Sequence, residues 1–142
     1  MKKLRTRDRD PRISLLKDKF EHNEITCPSD VTEGSITNAI LAIYQGLAPR
    51  IFGVEKRDGN IEIISGTQIV NSICHYLCCN IPYAKNGELK EFQGKTFSEL
   101  PRYLQRELQD SALRMTTFEC EHDNIVDEVT FRTAVKALHE LV

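Results

Sequence analysis

An α+β fold, a small mixed sheet flanked by helices, is predicted by three local signals in this chain of 142 residues. The first is RIFGVEKRDGNIEIIS (residues 50–65), where two alternating runs flank Asp58-Gly59, a strong hairpin signal. The second is IEIISGTQIVNSICHYL (residues 61–77), in which the apolar spacing changes at Gly66 from about two residues to about 3.6. That change predicts a strand, a tight turn and a helix with Ile69, Val70, Ile73 and Leu77 on one face. The third is the stripe Ile36, Ala39, Ile40 and Ile43, which predicts a helix N-capped by Ser35 and closed by Gly46, with Pro49 just beyond.

The remaining elements follow in chain order. MKKLRTRDRDPR (1–12) carries six basic and two acidic side chains and little to bury, so it is expected to be a mobile basic arm. Residues 13–142 are expected to form one domain. Ile13, Leu16 and Phe20 predict a short amphipathic helix, and ITCPSDVTEGS after it reads as loop. Asn86-Gly87 and Gln93-Gly94 mark turns. A helix from about Ser98 presents Leu100, Leu104 and Leu108, with Pro101 in its first turn. ALRMTTFEC (112–120) alternates as a strand does, and Val135, Leu138 and Val142 give a C-terminal helix its apolar side.

Composition excludes little. Apolar residues make up 40% and charged residues 28%, and the formal charge of -2 provides no global attraction to nucleic acid or to an anionic membrane. No apolar run approaches the roughly 18 residues of a membrane span, and no apolar signal core follows the basic N-terminus. Five cysteines, an odd number with three crowded between residues 74 and 79, make a poor disulfide framework. A cytoplasmic protein with reduced thiols and no membrane partner is the expectation.

The strand-turn-helix at Ser65, Gly66, Thr67 and Gln68 is the candidate ligand-binding site. A helix N-terminus offers unpaired N–H groups and the positive end of the macrodipole, and a preceding glycine lets an anion come close. A side chain at Gly66 is therefore expected to block that approach. The alternative is an ordinary β-α turn in which Thr67 merely caps the helix.

IEIISGTQIVNSICHYL resembles the signature segment of the N-terminal domain of GmrSD-type modification-dependent restriction enzymes, of the ParB/sulfiredoxin-like superfamily. AILAIYQGLAPRIFGVEKRDG before it is similar to the family's helix, Gly-x-x-Pro turn and strand. FQGKTFSELPRYLQRELQDSALRMTTFE after it resembles the family's Gly-Lys-x-Phe-x-x-Leu-Pro segment, helix and strand. The resemblance covers about residues 25–140. It implies a ParB/sulfiredoxin-like fold, a crevice for a nucleotide or nucleic acid, and a role in bacterial or phage defence beside a restriction or defence partner. The family's Asp-Gly-Gln-Gln-Arg motif falls on Ser65, Gly66, Thr67, Gln68 and Ile69, so its carboxylate and guanidinium are missing. The family's upstream Tyr-Gln-Arg segment and tryptophan are missing too. These departures imply a degenerate site with no catalytic residue, no resident cofactor and at most a nucleotide ligand. Two alternatives stay open. One is an active hydrolase or nuclease with a carboxylate from Glu55, Asp58 or Glu62; the other is a protein-interaction or inhibitor protein with a vestigial crevice.

Other groupings are weaker. Cys74 with Cys78 and His75 with Cys79 are i, i+4 pairs, but on neighbouring helix faces and without a Cys-x-x-Cys knuckle, so no metal site is expected; thiols partly buried beside an exposed histidine are. Cys74-His75 lies too deep in the helix for the Gly-Cys-His-Arg turn of sulfiredoxins, and Cys120 and His122 have no orienting third group. Arg50, Lys56 and Arg57 are candidate phosphate contacts, with Lys85, Lys90, Lys95, Arg102 and Arg106 farther on; interleaved acids leave a solvated surface as the alternative.

Overall fold

The computed structural model describes residues 5–26 and 30–119. Among them one sheet is built from β1 (Arg5–Arg9), β2 (Ile25–Thr26), β3 (Ile51–Glu55), β4 (Ile61–Ser65) and β5 (Met115–Glu119), in the order β1-β5-β3-β4-β2. The pairs β1–β5 and β3–β4 are antiparallel, and β3–β5 and β2–β4 are parallel, so the sheet is mixed. The helices are α1 (Ile13–Glu21), α2 (Glu33–Gln45), α3 (Thr67–Cys78) and α4 (Arg102–Asp110), with a 3-10 turn at Phe97–Glu99. The class is α+β, as the sequence predicts. The expected C-terminal helix, with Cys27, Cys120 and His122, lies outside the described residues.

Strand alternation divides the apolar residues between two faces. Ile51, Ile61, Ile63 and Met115 join Leu16, Ile36, Ile40, Val70, Ile73 and Leu108 in the main core under the helices. Phe52, Val54 and Phe118 form a second cluster. The hairpin turns at Gly59, with φ of 87°, and Asp58 Oδ1 accepts the Asn60 N–H at 2.9 Å. Gly46 closes α2 in the left-handed conformation, φ 69°, as expected.

Three expectations are corrected. Residues 5–9, assigned to the mobile arm, are a strand paired with β5 along its whole length. The pairing is held by backbone ladder bonds and polar contacts rather than by apolar burial. Thr116 Oγ1 donates to Asp8 Oδ1 at 2.9 Å, and the Arg9 guanidinium reaches across β5 to Glu55 Oε2 on β3 at 2.6 Å. Secondly, α2 starts earlier than expected. Thr32 is its N-cap and Ser35 its N3 residue, in a reciprocal box where Ser35 N–H donates to Thr32 Oγ1 at 3.0 Å and Thr32 N–H donates to Ser35 Oγ at 2.9 Å. Finally, α4 begins at Arg102 and not near Ser98. Thr96 and Glu99 cap the separate 3-10 turn, and Pro101 starts the helix from extended backbone.

Candidate functional site

The N-terminus of α3 opens into a cleft of about 370 Å³ whose opposite wall is α2. Gly66 forms the corner between β4 and α3. Its φ of 86° turns the chain sharply, and no side chain caps the helix at this position. Thr67, Gln68 and Ile69 line the α3 side, and Asn38, Ala39 and Ala42 the α2 side, with Pro49 at the rim. The two alanines keep the α2 wall low. Ser72, fully buried on α3, donates to Ser35 Oγ at 3.0 Å and ties the two helices together beside the cleft. That tie fixes the width of the opening.

None of the lining residues is ionisable. Ser35, Asn38, Thr67 and Gln68 supply polar groups, and the rest are apolar. Ser35 Oγ is already committed to Thr32 and Ser72. Among the described residues no imidazole, carboxylate or amine stands in the wall beside these hydroxyls. The exposed amides of Asn38 and Gln68 face each other's wall without a hydrogen-bond partner among the described residues. Among the described residues the cleft therefore offers backbone N–H groups, two amides and an apolar floor.

The residues singled out from the sequence are only partly brought together. Gly66, Thr67 and Gln68 line the cleft, whereas Ser65 does not; it sits opposite Phe52 in the β3–β4 register. Ile69, where the family motif has arginine, is 8% exposed and packs in the core at the cleft wall. Arg50 turns away: Nη1 donates to Thr116 Oγ1 at 3.2 Å and lies 3.9 Å from Asp8 Oδ1. Lys56 and Arg57 occupy the hairpin turn, at the opposite end of β3, about 14 Å along the strand from Ile51. They do not converge with the α3 N-terminus. The carboxylates of the hydrolase alternative lie at that same far end, with Glu55 on Arg9, Asp58 on the turn backbone and Glu62 4.0 Å from Lys56.

Gly66 has the positive φ that only glycine adopts freely, and its direction adds a second constraint. A Cβ built there points at Ile51, 3.0 Å from its Cγ1, and so crowds the β3 packing. The cysteine cluster also differs from its expected form. Cys74 is fully buried, Cys78 and Cys79 are exposed, and His75 is half-buried with its ring edge-on to Phe20 at 5.1 Å. Among the described residues no group of three or more His, Cys, Asp or Glu side chains is placed to hold a metal ion. Desolvation of its sulfur, reinforced by the hydrogen bond to Glu21, pushes the Cys78 thiol up to about 11, the wrong direction for a nucleophile.

Asn38 and Ala42 were not singled out from the sequence, and Ala39 and Pro49 only as part of the α2 stripe and the turn after it, not as site residues. Asn38 and Ala42 stand i, i+4 on one helix face, and nothing local says what that face meets. No helix among the described residues is long and apolar enough to cross a membrane. Comparison with protein-family models, with curated proteins and with solved structures found no match for this chain.

Proposed function

We propose that this chain is a non-catalytic binding module whose cleft at the start of α3 takes a mononucleotide, the phosphate meeting the helix N-terminus. The observation that carries the reading is the neutral lining around an uncapped helix N-terminus. Nucleic acid is disfavoured as ligand, because its affinity comes from several converging Lys and Arg contacts and the cleft wall has none. Hydrolysis is disfavoured because the described lining has no carboxylate or imidazole to hold a metal or activate water. The order of motifs around Gly66 supports a degenerate relative of the GmrSD N-terminal domain, of ParB/sulfiredoxin-like fold. On that reading the module works in the cytoplasm in bacterial or phage defence, reporting a nucleotide to a partner protein.

The test uses Gln68→Glu and a panel of nucleoside mono-, di- and triphosphates in calorimetric titration. Gln68 is exposed in the first turn of α3, where a carboxylate favours the helix through the macrodipole. The variant is expected to be at least as stable as the parent while binding its preferred nucleotide at least tenfold more weakly. No nucleotide binding by the parent, or equal binding by the variant, refutes the reading.

A further inference from the structure

The four helices share one face of the sheet: Leu16 of α1, Ile36 of α2, Ile73 of α3 and Leu108 of α4 all belong to the main core. The cluster on the other face holds strand residues only. Phe52 and Val54 of β3 and Phe118 of β5 compose it, and Ile64 of β4, half-buried, is the one further apolar side chain among the described residues packed against it. Val54 stands opposite Phe118 in the ladder, and the Phe52 and Phe118 rings are 6.2 Å apart. Side chains stand out from a sheet, so with nothing laid over them these would be open to water. Yet Phe118 is 1% exposed, Val54 3% and Phe52 6% in a single chain. Other atoms of this same chain therefore cover the face.

The chain outside the described residues comprises 1–4, 27–29 and 120–142, and the first two pieces are too short to cover three strands. The third follows directly on β5. It carries Phe131, Ala134, Val135, Leu138, Leu141 and Val142 at the spacing of one helix face, with Arg132, Lys136 and Glu140 at the spacing of the opposite one. We infer that the second face of the sheet is a docking surface for the chain's own residues 131–142, whose apolar side closes over Phe52, Val54, Ile64 and Phe118. The dimensions agree. Residues 131–142 at helical rise cover about 18 Å, and a five-residue strand is about 17 Å long. Glu62, opposite Val54 on β4, and Asp8, opposite Thr116 on β1, bound the apolar patch on either side. Between them lie three strands, about 10 Å across, which is the width of one helix. Residues 120–130 are long enough to reach either end of the strands.

The chain has no tryptophan, so Phe52→Trp places a single indole on this face of the full chain as a reporter. Blue-shifted emission and weak quenching by acrylamide are expected. Adding Leu138→Asp, which sets a carboxylate on the apolar side of 131–142, is expected to shift the emission to the red and raise the quenching severalfold. Lys136→Asp, on the opposite side, is expected to change neither. A second measurement decides the matter even where Leu138→Asp unfolds the chain. With the photoreactive p-benzoylphenylalanine in place of Phe52, irradiation and peptide mapping are expected to find a cross-link to residues 131–142 of the same chain. A water-exposed indole before any second substitution, or cross-links confined to other parts of the chain, overturns the inference. Cross-links between two chains, with quenching that weakens as protein concentration rises, identify a second copy as the occupant and overturn it as well.

Discussion

Replacing Gly66 by alanine separates two costs that the fold imposes at the corner of the cleft. The first is conformational. A non-glycine residue in the left-handed region costs about 1–2 kcal/mol, and the stiffer unfolded chain returns about 0.4–1 kcal/mol, leaving about 1 kcal/mol. Gly59, at φ 87° with no atom within 4 Å of its built Cβ, incurs that cost alone and serves as the reference. The second is steric. Gly66 has nearly the same φ, 86°, but its Cβ would lie 3.0 Å from Cγ1 of the fully buried Ile51, tight enough that β3 or α3 must give way. Crowding of a packed core adds about 1–2 kcal/mol. Gly66→Ala is thus expected to lose about 2–3 kcal/mol and Gly59→Ala about 1 kcal/mol. With a urea slope of about 2 kcal/mol per molar, the midpoints fall by about 1–1.5 M and 0.5 M. Urea unfolding followed by far-ultraviolet circular dichroism reads both. If Gly66→Ala unfolds no earlier than Gly59→Ala, either the corner is not left-handed or Ile51 is not in front of it. The same geometry explains why a bulky residue at Gly66 makes a poor probe of ligand binding.

Two further outcomes follow from buried polar contacts and from thiol chemistry. Ser35→Ala removes half of the α2 capping box and strands the hydroxyl of the fully buried Ser72, so a loss of about 2–3 kcal/mol in chemical denaturation is expected; a loss below about 0.5 kcal/mol contradicts the interhelix tie. Below its raised pKa of about 11, Cys78 holds roughly a hundredfold less thiolate than an ordinary thiol with a pKa of 9.0, partly offset by the greater nucleophilicity of a more basic sulfur. Peptide mapping after timed reaction with an aromatic disulfide at pH 8 is expected to show Cys78 about tenfold slower than an unperturbed thiol, and faster reaction disproves the assigned environment.

What the sequence determined by itself is what neighbours along the chain decide. The 50–65 hairpin follows from alternation about Asp58-Gly59, and α1, α2 and α3 follow from apolar spacing, because each side-chain period is set by local backbone geometry. The corner at Gly66 was legible for the same reason. Element starts were less so: Thr32 rather than Ser35 caps α2, since both can cap and only the path of the incoming chain distinguishes them. β1 left no local trace, because its charged residues are ordered by ladder bonds to β5, more than a hundred residues away. Tertiary structure alone decided which wall faces Gln68, that Arg50 serves β5, that Lys56 and Arg57 sit at the wrong end of β3, and that Cys74 is core while Cys78 is not. It alone set Phe52, Val54 and Phe118 together on the sheet face away from the main core. Sites assembled from separate elements depend on how those elements pack, and that packing is a sum over distant contacts that no window of sequence contains.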